Sequence, residues 1–277
     1  MKSTLTDNVV IPNTTNFVHE GQGTPVILIH GLAASLHDWD ELIPALTTNG
    51  YASYALDLLG HGESPRLDSR AYQMDWMFDH FSSWVRSLRL TEPAIIIGHS
   101  LGGHLALEYA RRVSAWTRGL ILVNPFYSIS QLPLLLRQTY RHPTLSGMIA
   151  SRLPEWMFRM VVDFTSLSMG HSASASNNYS LPAKVRAQTA LDYTRTAAGV
   201  YNLPNVIPDM TEKLPHIDIP TLVAWGENDQ TLAPASFLKM VKAMPRAEGK
   251  PIQAGHVPHQ SNAIEFNQLA LDFLREL

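Results

Sequence analysis

The sequence predicts an α/β protein with a mostly parallel, twisted sheet and helices on both faces. Short apolar runs recur without polar–apolar alternation, which is typical of strands buried on both faces of a parallel sheet. Helix-length segments lie between these runs, which is the order of βαβ units. The apolar runs are TPVILIHG (24–31), YASYALDLLG (51–60), PAIIIGHS (93–100), GLILVNP (119–125), PTLVAWGEND (220–229) and KPIQAGH (250–256).

Two helices are predicted early in the chain, and a longer helical segment interrupts the alternation later. Residues 37–50 end in Asn-Gly, as helices often do, and residues 74–88 place apolar side chains at helical spacing. Between residues 126 and 210 the sequence predicts helices separated by Pro and by a Ser/Asn-rich stretch, without a buried strand. We therefore expect residues 1–125 and 211–277 to form the core, with residues 126–210 inserted as a helical cap, or lid, after the strand at 119–125.

Composition excludes several functional classes. The 277 residues contain no cysteine, which rules out disulfides, thiolate metal sites and cysteine nucleophiles. The net charge is −3 and no run of Lys or Arg exceeds two residues, so no nucleic-acid partner is expected. We find no signal-peptide pattern at the N-terminus and no apolar run long enough to span a bilayer. These observations predict a cytoplasmic protein without stable membrane insertion, and they leave its oligomeric state open.

One serine lies in a motif that is typical of nucleophiles. Ser100 is the central residue of GHSLG, a match to G-x-S-x-G, and it stands between an apolar run and a helix-like segment. A turn this sharp strains the serine backbone and excludes bulky neighbours, which Gly98 and Gly102 satisfy. The position in a strand–turn–helix context favours a nucleophile over a residue that only fills a turn.

A serine nucleophile needs a base and an orienting acid, and two later strands supply candidates. His256 follows the last predicted strand, and Asp229 follows the one before it, so both lie at the carboxyl ends of parallel strands, where ligands bind. Glu227 is the alternative acid, but it lies nearer the strand, and Asp229 is favoured. His256 and His259 also resemble a metal pair, although neither cysteine nor an obvious carboxylate supports one.

Backbone N–H groups are the expected oxyanion donors. The N–H of Leu101 follows the nucleophile at a helix N-terminus, and the N–H of Leu32 lies in the loop after the first apolar run. We expect His30 and His99 to make structural hydrogen bonds. The segment DLLGHGES (57–64) lacks the spacing of a dinucleotide loop and is predicted to be a turn.

Together, HGLAASLHDW, LDLLGHGES, GHSLGG, WGENDQTLAP and AGHVPH resemble the α/β-hydrolase superfamily, in the branch with a helical cap. These pieces extend from residue 30 to residue 259 and say little about residues 126–210. The resemblance implies a Ser100–Asp229–His256 triad and no metal or organic cofactor.

Departures from particular members narrow the expected reaction. Haloalkane dehalogenases and epoxide hydrolases of this fold use an aspartate nucleophile, and this chain has Ser100. Proline iminopeptidases usually carry tryptophan after the nucleophile, where Leu101 stands. Carbon–carbon hydrolases of ring-cleavage products usually carry tryptophan after the catalytic histidine, where Val257 stands. We therefore expect a carboxylic ester hydrolase acting on a small molecule with an apolar acyl or aromatic group. A carbon–carbon hydrolase or lyase is the alternative.

Overall fold

The sheet has seven strands in the order β1-β3-β2-β4-β5-β6-β7. The computed structural model describes residues 11–67, 71–134, 137, 154–160, 162 and 181–277. Strand β1 is antiparallel to β3, and every other neighbouring pair is parallel. The strands are β1 (Phe17–Glu20), β2 (Thr24–Ile29), β3 (Tyr51–Leu56), β4 (Ala94–His99), β5 (Thr117–Val123), β6 (Thr221–Gly226) and β7 (Ala247–Ile252).

Helices cover both faces of this sheet. In chain order, the helices whose bounds lie among the described residues are α1 (Ile43–Thr48), α2 (Met74–Ser87), α3 (Leu101–Arg112), α4 (Ala183–Thr194), α5 (Leu203–Val206), α6 (Ala235–Ala243), α7 (Pro258–Ser261) and α8 (Ala263–Arg275), of which α4 and α5 fall between residues 126 and 210. Among the described residues, no helix is long and apolar enough to cross a membrane.

The two faces of the sheet contribute to separate apolar clusters. Successive residues of a strand point to opposite faces, so Ile96 packs in one cluster and Ile95 and Ile97 pack in the other. Every residue of β4 is buried. The unbroken apolar runs of the sequence are therefore explained by burial on both sides.

The predicted fold class is confirmed, while two strands differ from prediction in detail. Strand β1 was not predicted, because it lies at the edge of the sheet and three of its four residues are exposed, so it carries no apolar run. Strand β7 begins at Ala247, three residues before the predicted run at 250–256. Its burial pattern shows only Ile252 as buried, which is why hydrophobicity did not mark its start.

The predicted insertion is described only in part. Residues 155–160 are helical, α4 and α5 lie in the last third of the insertion, and no described residue between 126 and 210 is in a strand. Backbone hydrogen bonds join this part to the core, from Ala197 N–H to Gly60 and from Tyr72 N–H to Gly199. The other predicted helices lie partly or wholly outside the described residues, and the division into core and cap stays a prediction.

Candidate active site

Ser100 occupies the turn between β4 and α3 in a strained backbone conformation. Its φ of 50° and ψ of −110° are rarely adopted by a residue with a side chain. Two backbone hydrogen bonds hold the turn, from Ser100 N–H to Val123 O at 2.9 Å and from Phe126 N–H to Ser100 O at 3.0 Å. The strain is therefore maintained by the neighbouring strand β5.

The glycines on either side of Ser100 are required by close backbone approach. A Cβ on Gly98 would collide with the carbonyl of Gly102, and a Cβ on Gly102 would collide with the carbonyls of Ile29 and His30. The G-x-S-x-G pattern is explained by packing of the turn against itself and against β2.

Asp229 lies in the loop after β6 and His256 lies in the loop after β7, and a hydrogen-bonded chain joins both to Ser100. The Nδ1 atom of His256 is 2.8 Å from Asp229 Oδ2, and the Nε2 atom is 3.2 Å from Ser100 Oγ. With the proton on Nδ1, His256 donates to the carboxylate and leaves Nε2 free to accept from the serine hydroxyl. Asp229 and Ser100 are buried, while 21% of the His256 side chain is exposed.

Asp229 is held as a carboxylate by several donors. Burial alone would raise its pKa, but the charge and hydrogen bond of His256, the N–H of Leu232 and the amide of Asn124 lower the pKa below its ordinary value. Its Oδ1 accepts from the N–H groups of Thr231 (2.7 Å) and Leu232 (3.0 Å), and its Oδ2 accepts from Asn124 Nδ2 (2.6 Å). Glu227, the alternative acid, is exposed.

Asn124 is a site residue that the sequence analysis did not identify. It follows β5 with φ 42°, a left-handed conformation that asparagine tolerates better than most residues, and its Oδ1 accepts the Gly226 N–H at 3.3 Å. Asn124 therefore connects the loop that carries Asp229 to strand β5, which lies beside the turn of Ser100. The feature of the sequence that could have identified Asn124 is the Asn-Pro pair at 124–125, which directly follows the apolar run of β5.

A cavity of about 230 Å³ lies over Ser100 and His256. Leu32 and Leu101, whose N–H groups are the predicted oxyanion donors, both line it. Leu101 is the first residue of α3, so its N–H has no acceptor within that helix. Most of the wall is apolar, formed by Leu32, Leu101, Phe126, Leu132, Leu232 and Val257.

Helix α4 contributes a buried carboxyl group to the cavity. Asp192 lines the wall together with Thr189 and Tyr193 and is 3% exposed. Burial raises the pKa of Asp192 to about 7, the negative charge of Asp38 adds to this effect, and hydrogen bonds from Gln188 and Ser35 oppose it. Sequence reasoning missed Asp192, because no pattern in the sequence showed which side chain of the insertion faces Ser100.

Asp38, His99 and His259 form a buried cluster behind the site. One potential ligand atom of each lies within 4.8 Å of the others, and no other metal-like group of three occurs among the described residues. Asp38 already accepts from Gln260 Nε2 at 2.9 Å and from the Gly31 N–H at 3.3 Å. His259 thus belongs to this cluster, whereas His256 faces Ser100 and Asp229, so the two do not pair as ligands.

His30 and His99 both make hydrogen bonds that suit the structural roles expected of them. His99 lies between Asp38 Oδ2 (3.2 Å) and the carbonyl of His256 (3.0 Å), while burial lowers its pKa to about 4. The Nε2 of His30 accepts the Leu58 N–H at 2.9 Å. The segment 57–64 forms the predicted turn. With its proton on Nε2, His99 donates to the carbonyl oxygen of His256, and this hydrogen bond links the cluster to the loop that carries His256.

Comparison with known proteins identifies related families. A family model described as "Serine aminopeptidase, S33" matches residues 23–260. The chain is 27% identical to the non-heme chloroperoxidase CPO-A1 of Kitasatospora aureofaciens, over 92% of this chain and 94% of that protein. It is 25% identical to 2-hydroxy-6-oxononadienedioate/2-hydroxy-6-oxononatrienedioate hydrolase 2 of Pseudomonas putida, over 94% and 90%.

A solved structure also has the same fold. The thermophilic esterase of Thermogutta terrifontis superposes with a TM-score of 0.77 and 23% identity, over 95% of this chain and 93% of that one. This degree of similarity is evidence for the fold, and the reaction has to be argued from the site.

Proposed function

The chain belongs to the serine aminopeptidase S33 family of the α/β-hydrolase superfamily, and from this premise we propose that it is a carboxylic ester hydrolase with a Ser100–His256–Asp229 triad. The observation that carries the proposal is the continuous hydrogen-bonded chain from Asp229 through His256 to Ser100 at the base of a mostly apolar cavity. The mostly apolar wall of the cavity suits a small acyl or aromatic group on the proposed ester.

In the first half of the reaction, Ser100 becomes acylated. The Oγ atom attacks the ester carbonyl carbon while its proton moves to His256 Nε2. The backbone N–H groups of Leu32 and Leu101 stabilise the negative oxygen of the tetrahedral intermediate. The carbon–oxygen bond to the alcohol then breaks, and the alcohol leaves with the proton from His256.

In the second half, water releases the acid. His256 takes a proton from the water, whose oxygen attacks the acyl carbon, and the bond to Ser100 Oγ breaks as His256 returns the proton to that oxygen. Asp229 remains ionised throughout and stabilises the imidazolium. Its lowered pKa supports this role, since the carboxylate persists well into the acidic range.

The charges around the cavity favour an ester over a ring-cleavage product. The Pseudomonas putida relative is named for dioate substrates, which carry two carboxylates. Among the described residues that line this cavity, none is Lys or Arg, and two are aspartates, Asp38 and Asp192. A dianionic substrate would find no cationic partner among these described residues, and burying its charges beside the two aspartates would carry a considerable desolvation cost.

Hydrolysis of p-nitrophenyl esters with acyl chains of about two to sixteen carbons tests the proposed function, with Ser100→Ala as the blank. We expect turnover that depends on Ser100, with a chain-length optimum that reflects the cavity. Absence of turnover across the series by the folded protein, together with cleavage of a vinylogous diketo acid, would favour the carbon–carbon hydrolase instead.

Asn124→Gly tests whether the support of Asp229 affects catalysis. Glycine accepts the left-handed φ of this position, so the substitution removes the hydrogen bond to the carboxylate and the acceptor of the Gly226 N–H without straining the backbone. We expect kcat/KM for the preferred ester to fall about 10- to 100-fold, the range for a hydrogen bond to a charged group. Steady-state kinetics alongside thermal unfolding would check this, and unchanged kcat/KM in a folded variant would contradict it.

A further inference from the structure

Asp192 is placed to contact a bound substrate. It belongs to α4, and it lines the cavity that contains Ser100 and His256. A smaller side cavity adjoins the same corner, because Asp38, Thr189, Asp192 and Gln260 line both. Asp192 therefore forms part of a polar corner in an otherwise mostly apolar wall.

This carboxyl group is buried, and it has no cationic partner among the residues that the structure describes. None of the ion pairs in the described part of the chain includes Asp192, whereas Lys184 on the same helix pairs with Asp40 at 3.3 Å. Its Oδ1 accepts from Gln188 Nε2 at 2.8 Å. A buried carboxyl group without a cation favours its protonated form, which can donate a hydrogen bond as well as accept one.

The negative charge of Asp38 also favours the protonated form of Asp192. Asp38, held as a carboxylate by His259, His99 and Gln260, lies across the polar corner and disfavours a second negative charge there. His37 has the opposite but smaller effect. Among the described residues, the other titratable groups that line the two cavities are Asp40, Glu41, Lys184, His99, Tyr193, Tyr201 and His256.

We propose that Asp192 is a specificity-determining residue that donates a hydrogen bond to an uncharged oxygen acceptor of the substrate, such as a ketone or ether oxygen away from the scissile ester. This inference rests on the proposed ester hydrolase function and names its substrate class. A substrate carboxylate is disfavoured because it would lie beside the Asp38 carboxylate. An ammonium group is disfavoured because it would have to lose its hydration and ionise Asp192 in the same buried corner.

Matched esters test the proposal. The p-nitrophenyl esters of hexanoic, 5-oxohexanoic, adipic (monoester) and 6-aminohexanoic acids differ only in the polar group, and a second series carries the same groups in the alcohol of butyrate esters. The measured quantity is kcat/KM for each polar ester divided by kcat/KM for its apolar counterpart. Because both esters use the same triad, any effect of pH on the triad itself cancels in this ratio.

At pH 6 we expect the wild type to prefer the keto ester over its apolar counterpart about tenfold in one of the two series, namely the one whose polar group reaches Asp192. The preference should fall as pH rises through about 7, where Asp192 loses its proton. Asp192→Asn, which donates through its amide and does not titrate, should keep the preference at pH 6 and pH 8.5. Asp192→Leu should abolish it, and the exposed control Asp272→Asn should behave as wild type.

Three results would overturn the proposal: a keto preference that survives Asp192→Leu, a ratio that does not change with pH in the wild type, or a preference for the amino or carboxylate ester at pH 6. Failure of the ester hydrolase function is distinguished by the plain hexanoate, which would then show no turnover dependent on Ser100. In that case, calorimetric titration with heptane-2,6-dione and with glutarate still tests Asp192. The dione should bind the wild type more tightly than Asp192→Leu, and equal binding would refute the role.

Discussion

Replacing Ser100 with alanine should lower kcat/KM for esters by about 10⁴-fold or more, because the attacking atom itself is removed. The oxyanion donors and the cavity remain, so a small rate above the uncatalysed reaction should persist. The variant should fold, since alanine keeps the backbone hydrogen bonds from Ser100 to Val123 and from Phe126 to Ser100. Single-turnover kinetics would check the loss, and circular dichroism would check the fold.

Covalent labelling supplies an independent control for Ser100. A fluorophosphonate should modify one serine in the wild type, identified by peptide mass as Ser100, and should not modify Ser100→Ala. As a matched control, Ser128→Ala removes a buried serine that hydrogen-bonds to Asp209 and not to His256, and labelling should persist. Near wild-type esterase activity in Ser100→Ala would refute the nucleophile assignment.

The sequence predicted the parts of the molecule in which a single local requirement limits the residue type. Burial on both sheet faces limits strand β4 to apolar residues, and close backbone approach limits Gly98 and Gly102, so both left clear patterns. The positions of Asp229 and His256 followed from one general property, that parallel strands end at a common edge. Strand β1 left no such pattern, since an exposed edge strand can be built from many residue types.

The remaining site residues depend on contacts that connect distant parts of the chain. Asn124 and Asp229 are 105 positions apart, and their hydrogen bond exists only because β5 and β6 are neighbours in the sheet. Asp192 is unusual only because α4 lies over Ser100 and next to Asp38, which the sequence of α4 alone does not specify. Residues whose function depends on tertiary packing therefore require the structure.

Asp229→Asn should lower kcat by about 10⁴-fold, because the amide cannot reproduce the hydrogen bonds of the carboxylate. Asp229 accepts from two backbone N–H groups through Oδ1, and Oδ2 faces His256 Nδ1 and the amide of Asn124. The asparagine oxygen should take the backbone N–H groups, so its NH₂ group would face His256. The imidazole would then carry its proton on Nε2 and could not accept the proton of Ser100.

Glu227→Gln is the matched control, since it neutralises the alternative acid in the same loop. Glu227 is exposed and its N–H pairs with Ile252, so the substitution should leave kcat within about twofold of the wild type. Steady-state kinetics and circular dichroism separate a tautomer effect from unfolding, because Asp229→Asn should keep its KM and its fold while kcat falls. If Glu227→Gln caused the large loss and Asp229→Asn were silent, the acid of the triad would be Glu227. The four hydrogen bonds that converge on Asp229 argue for the opposite result, since a carboxylate satisfied in this way is fixed in both charge and orientation toward His256.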